Sequence, residues 1–184
     1  MAALRTTPSE PFEAVVLAGG AARRLGGQDK PSLTVGAVSL LDVVLAAVGG
    51  AARTVVVGPR RQTGRAVSWT REEPERAGPA AAIEAGLRLV REPLVVVVAA
   101  DLPFLDAAVV DALVQAAAGR DGALLLDDHG REQWLLGAWS ADALRQAAST
   151  VDHRQSSGAW SVSWTGTRLP RAVGPPSVVG LRHG

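Results

Sequence analysis

Residues 17 to 31 read Leu17-Ala-Gly-Gly-Ala-Ala-Arg-Arg-Leu-Gly-Gly-Gln-Asp-Lys30-Pro31, a stretch with four glycines, two arginines and the only lysine of the chain. Glycines let backbone N–H groups approach phosphate oxygens closely, while Arg23, Arg24 and Lys30 can neutralise charge that develops on phosphates during transfer. A polyanionic guest is expected. The spacing is not G-x-x-x-x-G-K-S/T, since no glycine directly precedes Lys30, and it is not G-x-G-x-x-G, so Walker and dinucleotide sites are disfavoured. Lys30 stands out further because the other basic residues are all arginine. If arginine serves wherever a cation suffices, this lysine asks for a chemical reason.

Such a loop needs a scaffold, and the flanking patterns supply one. Glu13 to Leu17 is a short apolar run entering the glycines, and two more runs, Arg53 to Val57 and Leu94 to Val98, are apolar as strands covered on both faces must be. Leu41, Val44, Leu45 and Val48 share a helical face, with Ser39 as N-cap and Gly49-Gly50 as a stop. Gly78-Pro79 opens a second helix in which Ile83, Leu87 and Val90 align, with proline at the first helical position. Val110, Leu113, Val114 and Ala117 mark a third helix. Gly122 to Leu126 and Trp134 to Trp139 read as further strands, and Ser140 to Ala148 as a short helix. The alternation predicts a three-layer, Rossmann-like α/β fold: a mostly parallel sheet with helices on both faces and ligands at the carboxyl edge of the strands.

Length and composition set the limits. The chain has 184 residues, 47% of them hydrophobic, and a net charge of +1, which suits one globular domain and gives no electrostatic case for nucleic acid. Without cysteine, disulfides, thiolate zinc sites and thiol nucleophiles are excluded. His129, His153 and His183 show no metal-ligand spacing. Neither a signal peptide nor a membrane span is read, so a cytoplasmic location is expected. Residues 1–11 are expected to form a loose leader and 12–150 the main domain. Residues 151–184 form a divergent tail of that domain, expected to be partly disordered: no acid follows Asp152, and no sustained period follows Thr150. If the tail fails to cover the sheet, a second copy could hide the exposed apolar area, so a homo-oligomer is considered.

The run from Leu17-Ala-Gly-Gly20 through Arg24 and Gly26 to Lys30 resembles the signature of MobA-type nucleotidyltransferases, the molybdenum cofactor guanylyltransferases. Two further segments resemble the same family: Val95 to Phe104, a strand ending in Asp101-Leu-Pro-Phe104, and Arg71 to Pro79, an acidic loop followed by Gly78-Pro79. The likeness covers about residues 12–140. It implies a nucleotide-diphospho-sugar transferase-like fold and transfer of GMP from GTP to molybdopterin with release of pyrophosphate, using Mg2+. It places Leu17, Ala18, Gly19, Gly20 and Gly26 against the nucleotide, Lys30 and Arg24 on its phosphates, and Asp101 on the metal.

In this resemblance the acid before Gly78-Pro79 receives the guanine. Glu73 is taken for that role, with Glu72 next. A carboxylate can accept two parallel hydrogen bonds from the N1–H and amino edge of guanine, which adenine cannot offer. The polar stretch from Asp127 to Trp134 resembles the region where relatives meet the acceptor, making Arg131, Gln133 and Trp134 candidates there. Blander roles compete with these: helix capping for Asp101, a solvated acidic loop for Glu73 and core packing for Trp134. Relatives usually close on a further acidic and proline-containing segment with a final helix, and Leu169 to Val179 offers no equivalent. The alternatives are a cytidylyltransferase on the same pterin, a sugar-1-phosphate nucleotidyltransferase, and a non-catalytic GTP-binding accessory protein.

Overall fold

Valine-rich strands dominate the centre of the molecule, where both faces are covered. The computed structural model describes residues 10–19, 34–35, 38–75, 77–127, 129–150 and 167–170. In chain order the strands are β1 (Phe12–Leu17), β2 (Thr34–Val35), β3 (Val38–Ser39), β4 (Thr54–Val57), β5 (Ser68–Thr70), β6 (Leu94–Ala99), β7 (Gly122–Leu126), β8 (Glu132–Ser140) and β9 (Thr167–Pro170). The helices are α1 (Leu40–Ala47), α2 (Pro79–Leu87), α3 (Ala107–Ala117) and α4 (Ala141–Thr150).

Seven strands form one sheet in the order β5-β4-β1-β6-β8-β7-β9, and β2 and β3 pair separately as a small antiparallel ribbon. Within the large sheet only β8 is reversed, running antiparallel to both β6 and β7. Alternation along each strand sorts side chains between two cores. Ala14, Val16, Val96 and Val98 face α1 and α3, whereas Val15, Leu17, Val95 and Val97 face the side of α2 and α4. This is the expected three-layer arrangement.

The helices start and sit where local chemistry puts them. The Ser39 hydroxyl accepts from the Asp42 N–H at 3.0 Å to cap α1, and an Asp106 carboxylate oxygen accepts from the Val109 N–H at 2.9 Å to cap α3. Helix α2 begins at Pro79 after Gly78, whose φ of 100° favours glycine. It lies so close to the sheet that a Cβ on Gly86 would come within 2.5 Å of Val15 Cγ1 and 3.2 Å of Val57 Cγ2. Gly86→Ala is therefore expected to destabilise the fold by about 1–3 kcal/mol, the usual cost of overpacking. Urea unfolding should show a lower midpoint at unchanged slope.

At the sheet end opposite the glycine loop, the Glu13 carboxylate is buried and fully engaged. Arg53 donates to one of its oxygens through Nε at 3.1 Å and Nη2 at 2.9 Å, and the Arg91 N–H donates to the other at 2.8 Å. These bonds offset the cost of taking a carboxylate out of water. Of the tail, Thr167–Pro170 pairs parallel with β7 as an edge strand. The expectation of partial disorder falls mainly on 151–166 and 171–184, which lie outside the described residues, as do residues 1–9 of the expected leader.

Candidate active site

The edge is set by register. Thr70, Val57, Leu17 and Ala99 lie side by side at the carboxyl ends of β5, β4, β1 and β6. Their ladder extends one step further, with Gly58 N–H donating to Thr70 O, Ala18 N–H to Val57 O and Ala100 N–H to Leu17 O at 2.8–3.0 Å. Four loops thus leave one line. The chain crosses from β4 and β5 on one side of β1 to β6 on the other, so this line contains the switch point where open α/β sheets take ligands.

Leu17 and Ala18 are buried, and Gly19 is the first exposed residue after β1. The incoming β4 loop presses directly on that start. A Cβ on Gly58 would lie 2.7 Å from Ala18 C and from Gly19 N, and its φ of 147° disfavours any other residue. Gly20, Arg23, Arg24, Gly26 and Lys30 lie outside the described residues.

The two neighbouring glutamates of the acidic loop take different positions. Both carboxylate oxygens of Glu72 lie 3.6 Å from the point where a Cβ on Gly19 would sit. Glu73 is exposed and lines a different cavity, about 220 Å³, with Pro74, Ala77, Ala81, Glu84, Ala85 and Arg88. The geometry therefore favours Glu72 over Glu73 as the acid beside the glycine loop. Gly78 and Pro79 form the amino end of α2, whose N–H groups suit an anion.

Asp101 is exposed two residues beyond β6. It does not cap α3, because Asp106 does. Phe104, three residues on, is 82% exposed, an aromatic face at this edge that sequence reading had not singled out. Among the described residues no group of three or more His, Cys, Asp or Glu side chains assembles as a metal cage. Magnesium on a nucleotide is usually held by one or two carboxylates together with phosphate oxygens, so a single hard-oxygen ligand at the strand edge fits it.

The β7–β8 hairpin overhangs the same edge. Val98 faces Leu136 in β8, so the β8 residues back to Glu132, paired with Leu126, reach past the level of Ala99. Its turn is organised by Asp127, which accepts from the N–H groups of Arg131 at 2.8 Å and His129 at 2.9 Å and from Gln133 Nε2 at 3.2 Å. Trp134 stacks on Trp139 with ring centroids 6.0 Å apart and planes 8° apart. Gln133 thus bonds within the hairpin and Trp134 packs on Trp139, while the Gln133 and Arg131 side chains are exposed.

The Arg131 N–H holds the Asp127 carboxyl below its ordinary value against a smaller opposing effect of desolvation, and the His129 N–H and the charges of both residues add to the lowering. A depressed carboxyl pKa stabilises the turn above its unfolded-state value, and that contribution fades as pH falls through the lower folded value. The amide resonances of His129 and Arg131 are expected to titrate with a midpoint below the usual aspartate range. Asp127→Asn should remove the transition, as nuclear magnetic resonance at stepped pH would record.

Comparison with known proteins bears on which chemistry this edge performs. The family model described as "MobA-like NTP transferase domain" matches residues 14–164, most of the chain. The chain belongs to this family. Membership makes it a nucleotidyltransferase and bears out the resemblance carried by the glycine loop. A molybdenum cofactor guanylyltransferase of Mesorhizobium japonicum is 33% identical, over 78% of this chain and 75% of the relative. Among solved structures, molybdopterin-guanine dinucleotide biosynthesis protein A from Archaeoglobus fulgidus aligns with TM-score 0.58 and 24% identity, over 74% of this chain and 71% of that one. The 2-C-methyl-D-erythritol 4-phosphate cytidylyltransferase of Thermus thermophilus aligns with TM-score 0.65 and 19% identity, over 92% of each chain. Both structural likenesses speak for the fold. No helix among the described residues is long and apolar enough to cross a membrane.

Sequence reading missed Arg61. Its Nη1 donates to Ala18 O at 3.2 Å, so a cation lies at the base of the glycine loop. The available signal was the Gly58-Pro59 turn straight after a buried strand, which starts a loop at the ligand edge.

Proposed function

We propose that this chain transfers GMP from GTP to the phosphate of molybdopterin and releases pyrophosphate. The observation that carries the proposal is the convergence of Gly19, Glu72 and Asp101 on one sheet edge through the register of Thr70, Val57, Leu17 and Ala99. Glycine-loop amides cradle the triphosphate, Glu72 accepts from the guanine N1–H and amino group, and Asp101 supplies the carboxylate for a divalent ion. Magnesium, when bound, neutralises phosphate charge and orients the leaving pyrophosphate.

An acceptor phosphate is already ionised at neutral pH, so no side chain has to remove a proton. One of its oxygens forms a bond to the α-phosphorus as the bond from that phosphorus to the bridging oxygen breaks, and the electron pair leaves with pyrophosphate. The protein contributes alignment of the two phosphates and cationic groups, Lys30 and Arg24, where charge builds up. The β7–β8 hairpin and Phe104 flank the same edge and are the surfaces offered to the acceptor. With its apolar ring 82% exposed, Phe104 suits a pterin better than Trp134, which is engaged by Trp139.

Thermal unfolding with GTP, ATP, CTP and UTP, each with magnesium, tests the donor, and pyrophosphate detection after adding molybdopterin tests the reaction. GTP at a hundredfold excess over its dissociation constant should stabilise the fold by about 2.7 kcal/mol, seen as a raised midpoint, with the other three nucleotides well behind. Selective stabilisation by CTP would replace the guanylyl reading with a cytidylyl one. GTP stabilisation without pyrophosphate release would point to an accessory role.

A further inference from the structure

The segment from Gly58 to Arg65, between β4 and β5, is bonded to both ends of the glycine-rich stretch. At the near end, Gly58 abuts the backbone of Ala18 and Gly19, and Arg61 Nη1 donates to Ala18 O at 3.2 Å. The far end runs through β2 and β3 into α1. There the half-buried Asp42 takes two bonds: Oδ2 accepts from the Ser39 hydroxyl at 2.7 Å, and Oδ1 accepts from the Gly64 N–H at 2.9 Å. Ser39 ends β3 and caps α1, so the Gly64 bond ties that junction to the same segment that presses on Gly19.

Helix capping does not require the Gly64 bond, because the Ser39 hydroxyl already accepts from the Asp42 N–H at 3.0 Å. Arg65 extends the attachment along α1. Its Nη1 donates to Leu45 O at 2.9 Å and its Nη2 to Gly49 O at 3.1 Å, carbonyls at a helix end that carries partial negative charge. Thr63 Oγ1 donates to Arg65 O at 2.8 Å and closes the turn between them. The chain from Gly58 to Gly64 can span no more than about 22 Å, which limits how far apart the two ends can lie.

Building on the reading of the glycine stretch as the phosphate cradle, we propose that Asp42 and Arg65 are positioning residues for the nucleotide phosphates. They fix the far end of the cradle on the loop that already fixes its near end, and neither side chain has to touch the nucleotide. Donors aimed at a ligand act only when their supporting contacts hold them to within about 0.5 Å.

Titration calorimetry with magnesium and either GTP or GMP tests this, since the two share a base and differ in the β- and γ-phosphates. The native protein is expected to favour GTP. Asp42→Ala and Arg65→Ala should each cut the GTP-to-GMP affinity ratio by about two- to thirtyfold, the range over which remote contacts modulate a site. Asp42→Asn, whose amide oxygen can still accept from the Gly64 N–H, should recover most of the ratio. Ser39→Ala removes the cap of α1 but leaves the Gly64 bond, so it should keep the native ratio. A native preference for GTP that persists unchanged in Asp42→Ala and Arg65→Ala overturns the proposal and leaves the phosphate cradle standing. A ratio as low in Ser39→Ala as in Asp42→Ala, with Arg65→Ala native-like, reduces Asp42 to a part of the helix cap and overturns it too. No preference for GTP over GMP in the native protein sinks the cradle and the proposal together. Should Asp42→Ala fail to fold, Arg65→Ala, a change at an exposed residue, decides.

Discussion

Asp101→Ala is expected to lower turnover by about 10²–10³-fold while leaving the fold intact, because it removes charge stabilisation at the transferring phosphates. The side chain is exposed beyond the end of β6 and does not cap α3, so the far-ultraviolet spectrum should be unchanged. Asp101→Asn should lose nearly as much, since it keeps the shape but gives up the charge a divalent ion requires. Turnover of the native protein should fall as magnesium is lowered, whereas that of the variants should respond only weakly. Near-normal rates in either variant would remove Asp101 from the reaction.

Lys30→Ala is expected to cost at least about 10²-fold in kcat for the same electrostatic reason. Lys30 lies outside the described residues, so its case rests on chemistry. It is the only lysine in a chain otherwise supplied with arginine, and it follows Gly19 in the same glycine-rich stretch of sequence. A compact ammonium can follow a phosphate oxygen as charge moves during transfer, whereas a planar fork is bulkier and fixed in direction. Lys30→Arg should therefore recover nucleotide binding more fully than kcat. Full turnover in Lys30→Ala would show that the loop holds the phosphates through backbone groups alone.

Much of the frame was legible because it obeys two simple periods. β1, β4 and β6 are apolar on both faces, as buried parallel strands must be, and α1, α2 and α3 repeat their large apolar residues at helical spacing. The short elements were not legible. β5 is three residues at a sheet edge, β2 and β3 are two residues each, and β9 is four, lengths over which periodicity carries no signal. The reversal of β8 was also hidden, since a strand's direction depends on the connection before it. At the site, residue types pointed to phosphate chemistry, but position needed the fold. Glu72 and Glu73 differ only in which way each side chain points, and Arg61 is one arginine among many until Ala18 O meets it.

The reversed strand divides the labour of the molecule. The loops that the proposed function assigns to the nucleotide hang from β5, β4, β1 and β6, whereas the hairpin above the edge belongs to β7 and β8 in the other half of the sheet. On that proposal, changes at the tip of the hairpin, beyond the residues that pair with β6, could alter the recipient while leaving the donor loops in place. A lineage built on this plan could diversify its products from one half while conserving its energy source in the other.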